Sequence, residues 1–234
     1  VRYEHVRDAI SSALASGDFS PVKEGNIGAG MGTHTYGWKG GIGTASRVLP
    51  EELGAYTVGV LVQSNFGLPQ QLTIRGVPVG AAIQPKNITS IESKLQNSTD
   101  KGSIMIVIAT NAPVSERQLE RLCKRAPIGL ARTGSHIGHQ SGDFCVAFTT
   151  KNLIVHRPSN LTEFQEILVN TDDVMPWLFQ AVIESVEEAI LNLPDGLLDR
   201  YLRLTALMLE FGPNLGMPHT KAVGEGLFEL RVKS

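Results

Sequence analysis

Gly102 and Ser103 stand directly before the apolar, β-branched run IMIVIAT at 104–110, and this dipeptide is the first candidate for chemistry in the sequence. A serine hydroxyl needs a base to take its proton before it can act as a nucleophile. A serine at a chain's N-terminus carries such a base, because its α-amino group has a reference pKa of about 7.7 to 8.0. Glycine before the serine tolerates crowded backbone geometry, since it has no Cβ. One interpretation of these residues is that the Gly102–Ser103 bond breaks and that Ser103 becomes a new N-terminus.

Other interpretations of the candidate residues remain open at this point. Gly-Ser dipeptides also mark ordinary turns, so a linker that meets a strand would explain the same residues. The glycines at 28, 30 and 32 lack the spacing of a dinucleotide fingerprint, and no Lys-Ser/Thr pair follows as in a phosphate loop. His136, His139 and Asp143 could be read as metal ligands, but spacing alone shows neither ligand number nor geometry. We therefore expect no metal and no organic cofactor.

The composition limits the classes of protein to which the chain can belong. With 234 residues, 42% of them hydrophobic and 19% charged, the chain can bury one sizeable core. A formal net charge of -2 gives no electrostatic footprint for nucleic acid or an anionic membrane. Cys123 and Cys145 form no CxxC pattern, which fits a reducing cytoplasm. No apolar run reaches the length of a membrane span, so we expect no membrane partner and do not favour nucleic acid.

Periodicity and turn signals predict an α+β protein. Three helices are expected, at about 4–16, from Ser115 to near Pro127 and Gly129, and at about 173–191. Short β-rich runs predict strands at 56–64, 71–74, 104–110 and 144–150. Two of these runs are almost continuously apolar, which is typical of strands covered on both faces. The glycine-rich segment 25–43 is expected to be loop with brief strand pairing.

A polar stretch between Gly80 and Lys101 precedes the Gly-Ser pair and reads as a long exposed loop. Such loops inside compact domains are usually functional or disordered.

The first residues, VRYEHVRDAISS, are charged and amphipathic, so they do not form a signal peptide. The chain has no starting Met, which we interpret as a sign of a fragment.

Five blocks of sequence occur in the order of one known family. They are PVKEGNIGAGMGTHTYGWKGGIGTASRV, YTVGVLVQSNFG, GVPVG, KGSIMIVIATNAPVSERQLERLCKRAPIGLARTGS and SGDFCVAFTT. Together they resemble the L-aminopeptidase D-Ala-esterase/amidase family, the DmpA-type peptidases that include β-peptidyl aminopeptidases. The resemblance covers about residues 1–192. It implies a self-cleaving N-terminal-nucleophile hydrolase with an αββα sandwich, similar in layout to the Ntn-hydrolase fold but differently connected.

The resemblance also implies roles for individual residues. Ser103 corresponds to the nucleophile and Gly102 to the residue before the cut. Asn65 resembles the oxyanion-stabilising Asn, while Ser141 and Asp143 match a Ser-x-acid pair that orients the amine and the hydroxyl. Many relatives carry Glu where Asp143 stands, and Asn65, Ser141 and Asp143 are also common turn residues. The segment that lines the substrate cleft in the family contains Gly28, Gly30 and Gly32.

The two ends of the chain depart from the family pattern. Family members carry a long segment before the point where this chain begins, with strands of the sandwich and a catalytic Tyr, so we expect an incomplete αββα sandwich. After EEAILN the pattern changes, and FGPNLGMPHTKAVGEGLFELRVKS resembles the first part of RelE/HigB-like, phage-derived toxins. We expect a partial peptidase domain over 1–192, with parts 1–102 and 103–192, and a partial toxin-like segment over 193–234.

The tail is expected to be a short helix followed by a strand. Asp195 can cap the helix, and Gly212 and Pro213 end it. Glu229 and Arg231 begin the strand and could contact RNA, although a solvated strand face explains the same charges.

Two function hypotheses of different classes follow. The first is a cytoplasmic, self-cleaving aminopeptidase that acts on small peptides, amides or esters next to a free amine, and forms a homo-oligomer as its relatives do. The second is a toxin-like segment that binds RNA or an antitoxin. A third alternative is that neither activity survives in a truncated chain.

Overall fold

The computed structural model describes residues 2–17, 21–81 and 102–192, together with the backbone of 220–224 and 227–230. The helices and strands are α1 (Tyr3–Ser16), β1 (His34–Thr35), β2 (Trp38–Lys39), β3 (Gly41–Val48), β4 (Thr57–Asn65), β5 (Ser103–Thr110), α2 (Glu116–Cys123), α3 (Ala126–Arg132), β6 (Phe144–Thr149), α4 (Thr171–Leu191), β7 (Thr220–Gly224) and β8 (Leu227–Leu230). Short 3-10 helices lie at Gly28–Gly30, Glu51–Leu53, Pro69–Gln71 and Val79–Ala81.

A four-stranded mixed sheet lies at the centre, in the order β3-β4-β5-β6. The β3–β4 and β4–β5 pairs are antiparallel, whereas β5 and β6 are parallel and are connected through α2 and α3. The predicted strands at 56–64, 104–110 and 144–150 are confirmed. Alternate β4 and β5 residues point into the core on the helical side, which buries Val58, Val60, Val62, Ile104, Ile106 and Ile108.

Helix α4 covers one face of the sheet, and its predicted position at 173–191 is confirmed. It packs on β3, on β4 and on α3. The 3.6-residue repeat predicts an apolar stripe made of Val174, Trp177, Leu178, Ala181, Val182, Val186 and Ile190. All of these residues are buried except Trp177, which is 48% exposed. Arg47 on β3 forms ion pairs with Glu184 at 3.1 Å and Glu188 at 2.6 Å, so charged contacts also join this helix to the sheet.

The close approach of α4 to the sheet depends on Gly43 in β3. A Cβ at this position would lie 1.9 Å from the carbonyl oxygen of Ala189 in α4. Real Cβ atoms do not approach backbone this closely, so any side chain here would push the helix away from the sheet. Gly59 in β4 is the contrast, because its added Cβ would meet nothing nearer than 4.0 Å.

Helix α2 packs against β6, and the two free cysteines meet at this contact. Burial, with smaller contributions from the charge and hydrogen bonding of the neighbouring Cys123 thiol, raises the pKa of the Cys145 thiol to about 12. An ordinary thiol titrates near 9.0. Cys145 is therefore a protonated thiol at neutral pH.

Residues 71–74 do not form the predicted strand. Gln71 ends a 3-10 helix, and Ile74 makes one isolated bridge with Val77. Thr73 donates its N–H to the carbonyl of Thr133, outside any strand. The prediction was wrong because Leu72 and Ile74 are buried by a compact turn, which satisfies their hydrophobicity without a ladder.

The helix predicted from Ser115 ends earlier than expected. The Ser115 capping box is present, with Gln118 N donating to the Ser115 hydroxyl. However, α2 ends at Cys123, and a second helix runs through the expected end, with Pro127 in its first turn. Proline is tolerated there because the first-turn N–H has no intrahelical partner.

The described residues cover the sheet on one face, so the expectation of strands covered on both faces is not met by this part of the chain. On the opposite face the side chains of Val48, Met105, Phe144, Val146 and Phe148 are 43% to 67% exposed. We call this surface the open face.

The predicted helix at 4–16 is confirmed as α1, but none of its described residues is buried.

The glycine-rich segment contains the brief pairing that was expected, because β1 and β2 form a two-stranded hairpin and β3 begins within it. In the tail, β7 and β8 pair antiparallel, with Glu229 opposite Lys221. The expected helix between Asp195 and Gly212, the loop at 82–101 and Arg231 lie outside the described residues. None of the described helices has both the length and the apolar composition needed to span a bilayer.

The contact at Gly43 predicts a stability difference between two matched glycines of the same sheet. We expect Gly43→Ala to lower the free energy of unfolding by about 1–3 kcal/mol, because the methyl group overpacks the α4 contact. Gly59→Ala serves as the control and should change stability far less. Urea titration monitored by circular dichroism measures both, and equal effects would contradict the packing argument.

The pKa of Cys145 predicts its reactivity and a pH dependence. The native protein should resist iodoacetamide at Cys145 at pH 7 to 8, because the thiolate is the nucleophile. The raised pKa contributes stability that is fully present below about pH 9 and is lost as the pH rises towards about 12. Peptide mass spectrometry after timed alkylation measures the rate, with guanidinium-unfolded protein as control. Equal rates in native and unfolded protein would show that the pKa is not raised.

Candidate active site

Ser103 and Asn65 lie opposite each other at one end of the β4–β5 ladder. Asn65 is the last residue of β4, Ser103 is the first of β5, and the two are register partners. Residues directly opposite in an antiparallel pair carry their Cβ atoms on one face, about 4.5–5.5 Å apart. Alternation along β5 places Ser103 on the open face together with Met105, because Ile104 is buried on the other face. The sheet therefore brings the two predicted side chains together.

The backbone of β1 orients the side-chain amide of Asn65. Its Oδ1 accepts the His34 N–H at 3.1 Å. An Asn amide has its acceptor and its two donors on opposite sides. With Oδ1 bound to His34, the exposed Asn65 side chain can present Nδ2 as a donor to another group.

The carbonyl oxygen of Gly102, in the peptide bond that is predicted to break, faces two donor groups in the segment before β6. The backbone N–H of Gly142 donates to it at 3.2 Å, and the Ser141 hydroxyl lies within hydrogen-bond distance at 3.1 Å. Both donors would gain strength if negative charge developed on this oxygen, because hydrogen bonds to ionised acceptors are shorter and stronger. The geometry thus polarises the Gly102 carbonyl.

The carboxylate of Asp143 lies beside the start of β5. Its Oδ1 accepts the Ile104 N–H at 3.1 Å and the Ser141 hydroxyl at 2.8 Å. Its Oδ2 is shielded from solvent and has no hydrogen-bond partner among the described residues. A buried carboxylate oxygen without a partner costs free energy, so it marks a position where a donor would bind favourably.

The backbone at Gly102 is enclosed on its other side. An added Cβ there would lie 2.4 Å from Cα and Cβ of Phe66 and 2.9 Å from the Asn65 carbonyl oxygen. Phe66 is held in turn by Tyr36, whose ring packs edge-on at 5.2 Å and whose hydroxyl bonds the Thr133 hydroxyl at 2.6 Å. Tyr36 has a left-handed φ of 53°, which is strained for a bulky residue. Tyr36 therefore holds Phe66 in the position in which it packs against the Gly102–Ser103 peptide.

The predicted substrate-binding glycines lie next to β4, but their surroundings differ. A Cβ on Gly30 would lie 2.6 Å from the Cα of Gly41, so packing against β3 explains this glycine. Gly28 and Gly32 have positive φ angles of 51° and 83°, and their added Cβ atoms would meet nothing within 4 Å. Gln63 donates to the backbone of this segment at 2.9 Å. The segment therefore lies close to the end of β4 that carries Asn65.

The described residues give no geometric support to the metal alternative. They contain no group of three or more His, Cys, Asp or Glu side chains arranged to hold a metal ion. His136 instead shares a hydrogen bond with the side-chain amide of Gln71 at 3.0 Å.

Four residues that sequence analysis did not single out contribute to the arrangement. Gly142 supplies a donor, His34 orients Asn65, and Phe66 and Tyr36 enclose Gly102. For Gly142 the signal was available, since it lies between the two predicted residues of the SGD triplet. The positions of His34 and Tyr36 depend on long-range contacts and had no sequence signal.

Comparison with known proteins gives a different family for each of the two parts of the chain. The family described as phage derived protein Gp49-like matches residues 188–234. Beta-peptidyl aminopeptidase BapA of Sphingosinicella xenopeptidilytica is 41% identical over 192 residues, which cover 80% of this chain and 47% of BapA. The chain thus spans about half the length of the curated relatives it matches.

Two solved structures share the fold. A Pyrococcus horikoshii OT3 protein is 44% identical, with a TM-score of 0.64 over 82% of this chain and 49% of its own. The L-aminopeptidase D-Ala-esterase/amidase of Ochrobactrum anthropi, described as a variant of the Ntn hydrolase fold, is 33% identical, with a TM-score of 0.64 over 96% and 53% of the two chains. These likenesses confirm the predicted fold class. Since the profile of peptidase family S58 matches residues 1–193, the chain belongs to peptidase family S58.

Proposed function

We propose that this chain is part of a self-cleaving N-terminal-nucleophile aminopeptidase that hydrolyses N-terminal residues from peptides, amides or esters. The observation that carries the proposal is the setting of the Gly102–Ser103 peptide. The Gly102 carbonyl oxygen accepts the Gly142 N–H and lies 3.1 Å from the Ser141 hydroxyl, and Ser103 is the register partner of Asn65. The relatives named as a β-peptidyl aminopeptidase and an L-aminopeptidase support the same class of reaction.

In the first step Ser103 Oγ attacks the carbonyl carbon of Gly102. The Oγ–C bond forms, the C–N bond between the residues breaks, and the hydroxyl proton ends on the Ser103 nitrogen. The product is an ester with a free α-amine. Water then hydrolyses the ester, which leaves a carboxylate on Gly102 and restores the Ser103 hydroxyl.

In the cleaved protein the α-amine of Ser103 acts as the base for its own hydroxyl. Asp143 is suited to hold this amine when it is protonated, because its carboxylate already bonds the next backbone N–H, at Ile104, and its Oδ2 is unpartnered in the described residues. Asn65 Nδ2 is suited to stabilise the oxyanion of a bound substrate. Gly28 and Gly32, in the segment beside β4, are proposed to line the substrate cleft, and Gly30 to support that segment.

The proposed organisation follows the two family matches. Residues 1–192 form the peptidase part, divided into 1–102 and 103–192 by cleavage, and 193–234 form a separate segment. The open face has the apolar character of a surface that another layer covers. We propose that the active protein is a homo-oligomer that works in the cytoplasm, where the free thiols of Cys123 and Cys145 stay reduced.

A second candidate function rests on the tail. The Gp49-like match and the β7–β8 hairpin support a toxin-like segment that binds RNA or an antitoxin. Degradation of mRNA by the full chain, unchanged by Ser103→Ala, would favour this function over the peptidase.

The peptidase proposal predicts the behaviour of the purified chain. We expect two pieces, 1–102 and 103–234, on a denaturing gel, with Ser103 as the first residue of the second piece. Ser103→Ala should leave one intact band, because the attacking oxygen is missing. Intact-mass measurement and N-terminal sequencing check both results.

The matched control is Ser46→Ala, which removes an exposed hydroxyl from β3 of the same sheet and should cleave like the wild type. Circular dichroism confirms that all three proteins fold alike. A wild-type chain that stays whole after long incubation would refute self-cleavage.

A further inference from the structure

The oxygen that becomes negatively charged during self-cleavage is the carbonyl oxygen of Gly102, and its surroundings identify the donors for this step. In the sheet, β5 lies between β4 and β6. Asn65 ends β4 on one side of Ser103, whereas Ser141 and Gly142 precede β6 on the other side. The Gly102 oxygen accepts the Gly142 N–H and lies within hydrogen-bond distance of the Ser141 hydroxyl, and both groups stand on the β6 side.

We propose that the backbone N–H of Gly142 is the fixed oxyanion donor of self-cleavage, and that Asn65 does not serve this step. This inference rests on the proposed function and adds to it a division of labour. The oxyanion of self-cleavage is held on the β6 side of Ser103, and Asn65 remains available for the oxyanion of a bound substrate.

The number of acceptors that compete for each donor proton distinguishes Gly142 from Ser141. The Ser141 hydroxyl has one proton and two acceptors within reach, Asp143 Oδ1 at 2.8 Å and the Gly102 oxygen at 3.1 Å. The bond to a carboxylate is the stronger of the two, so the proton favours Asp143 before the reaction. The N–H of Gly142 donates to the Gly102 oxygen and needs no rearrangement. A donor already in place stabilises developing charge without a reorganisation cost.

The lack of a side chain at position 142 serves the same step. An added Cβ would lie 3.1 Å from Ser103 Oγ and 4.0 Å from Ser103 Cβ. The first distance is tighter than an ordinary contact, so a methyl group would press on the attacking oxygen. Glycine therefore allows one residue to donate to the carbonyl oxygen and to leave room for the nucleophile.

The test removes the N–H without adding bulk. Gly142 is replaced by glycolic acid through nonsense suppression, which exchanges the backbone N–H for an ester oxygen in the full chain. We expect the rate of self-cleavage to fall by about 100-fold or more, the usual effect of losing one oxyanion donor. Asn65→Ala should still yield the fragments 1–102 and 103–234. Gly142→Ala should also cleave more slowly, through crowding of Oγ, with Gly59→Ala as the glycine control.

The outcomes separate this inference from the proposed function. Normal cleavage of the glycolic acid protein, or slowing by Asn65→Ala as large as that at position 142, overturns the inference while self-cleavage itself stands. A wild-type chain that never cleaves refutes the proposed function instead.

A second measurement does not depend on cleavage. In the uncleavable Ser103→Ala chain, hydrogen exchange should show a protected Gly142 amide, although Gly142 is exposed, because the Gly102 oxygen accepts it. Exchange at the rate of a free exposed amide would overturn the inference whether or not the wild type cleaves.

Discussion

The pairing registers of β5 with its two neighbours are the constraint on which the candidate site depends. The antiparallel ladder sets Asn65 opposite Ser103, and the parallel ladder with β6 brings the residues before Phe144 beside Gly102. A slip of one residue in either ladder would turn every side chain of the slipped strand to the other face of the sheet. The hydroxyl, the amide and the carboxylate would then no longer surround one peptide bond. The buried β-branched residues of β4 and β5 prevent such a slip, because it would expose them.

Packing around the sheet maintains this arrangement. Helix α4 lies close enough to β3 that backbone meets backbone at Gly43, which leaves little freedom for the sheet to shift. At the site itself, Tyr36 adopts a strained backbone conformation and packs against Phe66, which in turn packs against Gly102. Strained residues of this kind persist where surrounding contacts determine their position, and they often occur at functional sites. The core therefore contributes both stability and the crowding at the Gly102–Ser103 peptide.

The candidate nucleophile Ser103 lies on the open face of the sheet. Ser103 lies on the same face as Met105, and the neighbouring strand exposes Phe144, Val146 and Phe148. An apolar surface beside a nucleophile needs cover to exclude water and to form a cleft. The matched part of this chain covers 47% of BapA and 49% of the Pyrococcus horikoshii protein. In the proposed function, substrate turnover therefore depends on how the open face is covered, whereas self-cleavage depends on contacts among the described residues.

The sequence by itself determined the family, the fold class, three of the strands and the long helix α4, whereas the roles of the candidate site residues stay predictions. Periodicity carries this information because alternation and the 3.6-residue repeat are local properties. The prediction failed at 71–74, where β-rich residues lie in a compact turn and not in a strand. It also failed at Pro127, which lies in the first turn of a helix and not at a helix end.

Only the tertiary structure decided which atoms face each other. It placed the Gly142 N–H on the Gly102 oxygen, turned Asn65 through its bond to His34, and left one oxygen of Asp143 without a partner in the described residues. The two ladder registers that create these contacts join residues far apart in the chain. No local pattern encodes such distances, because they follow from packing of the whole sheet.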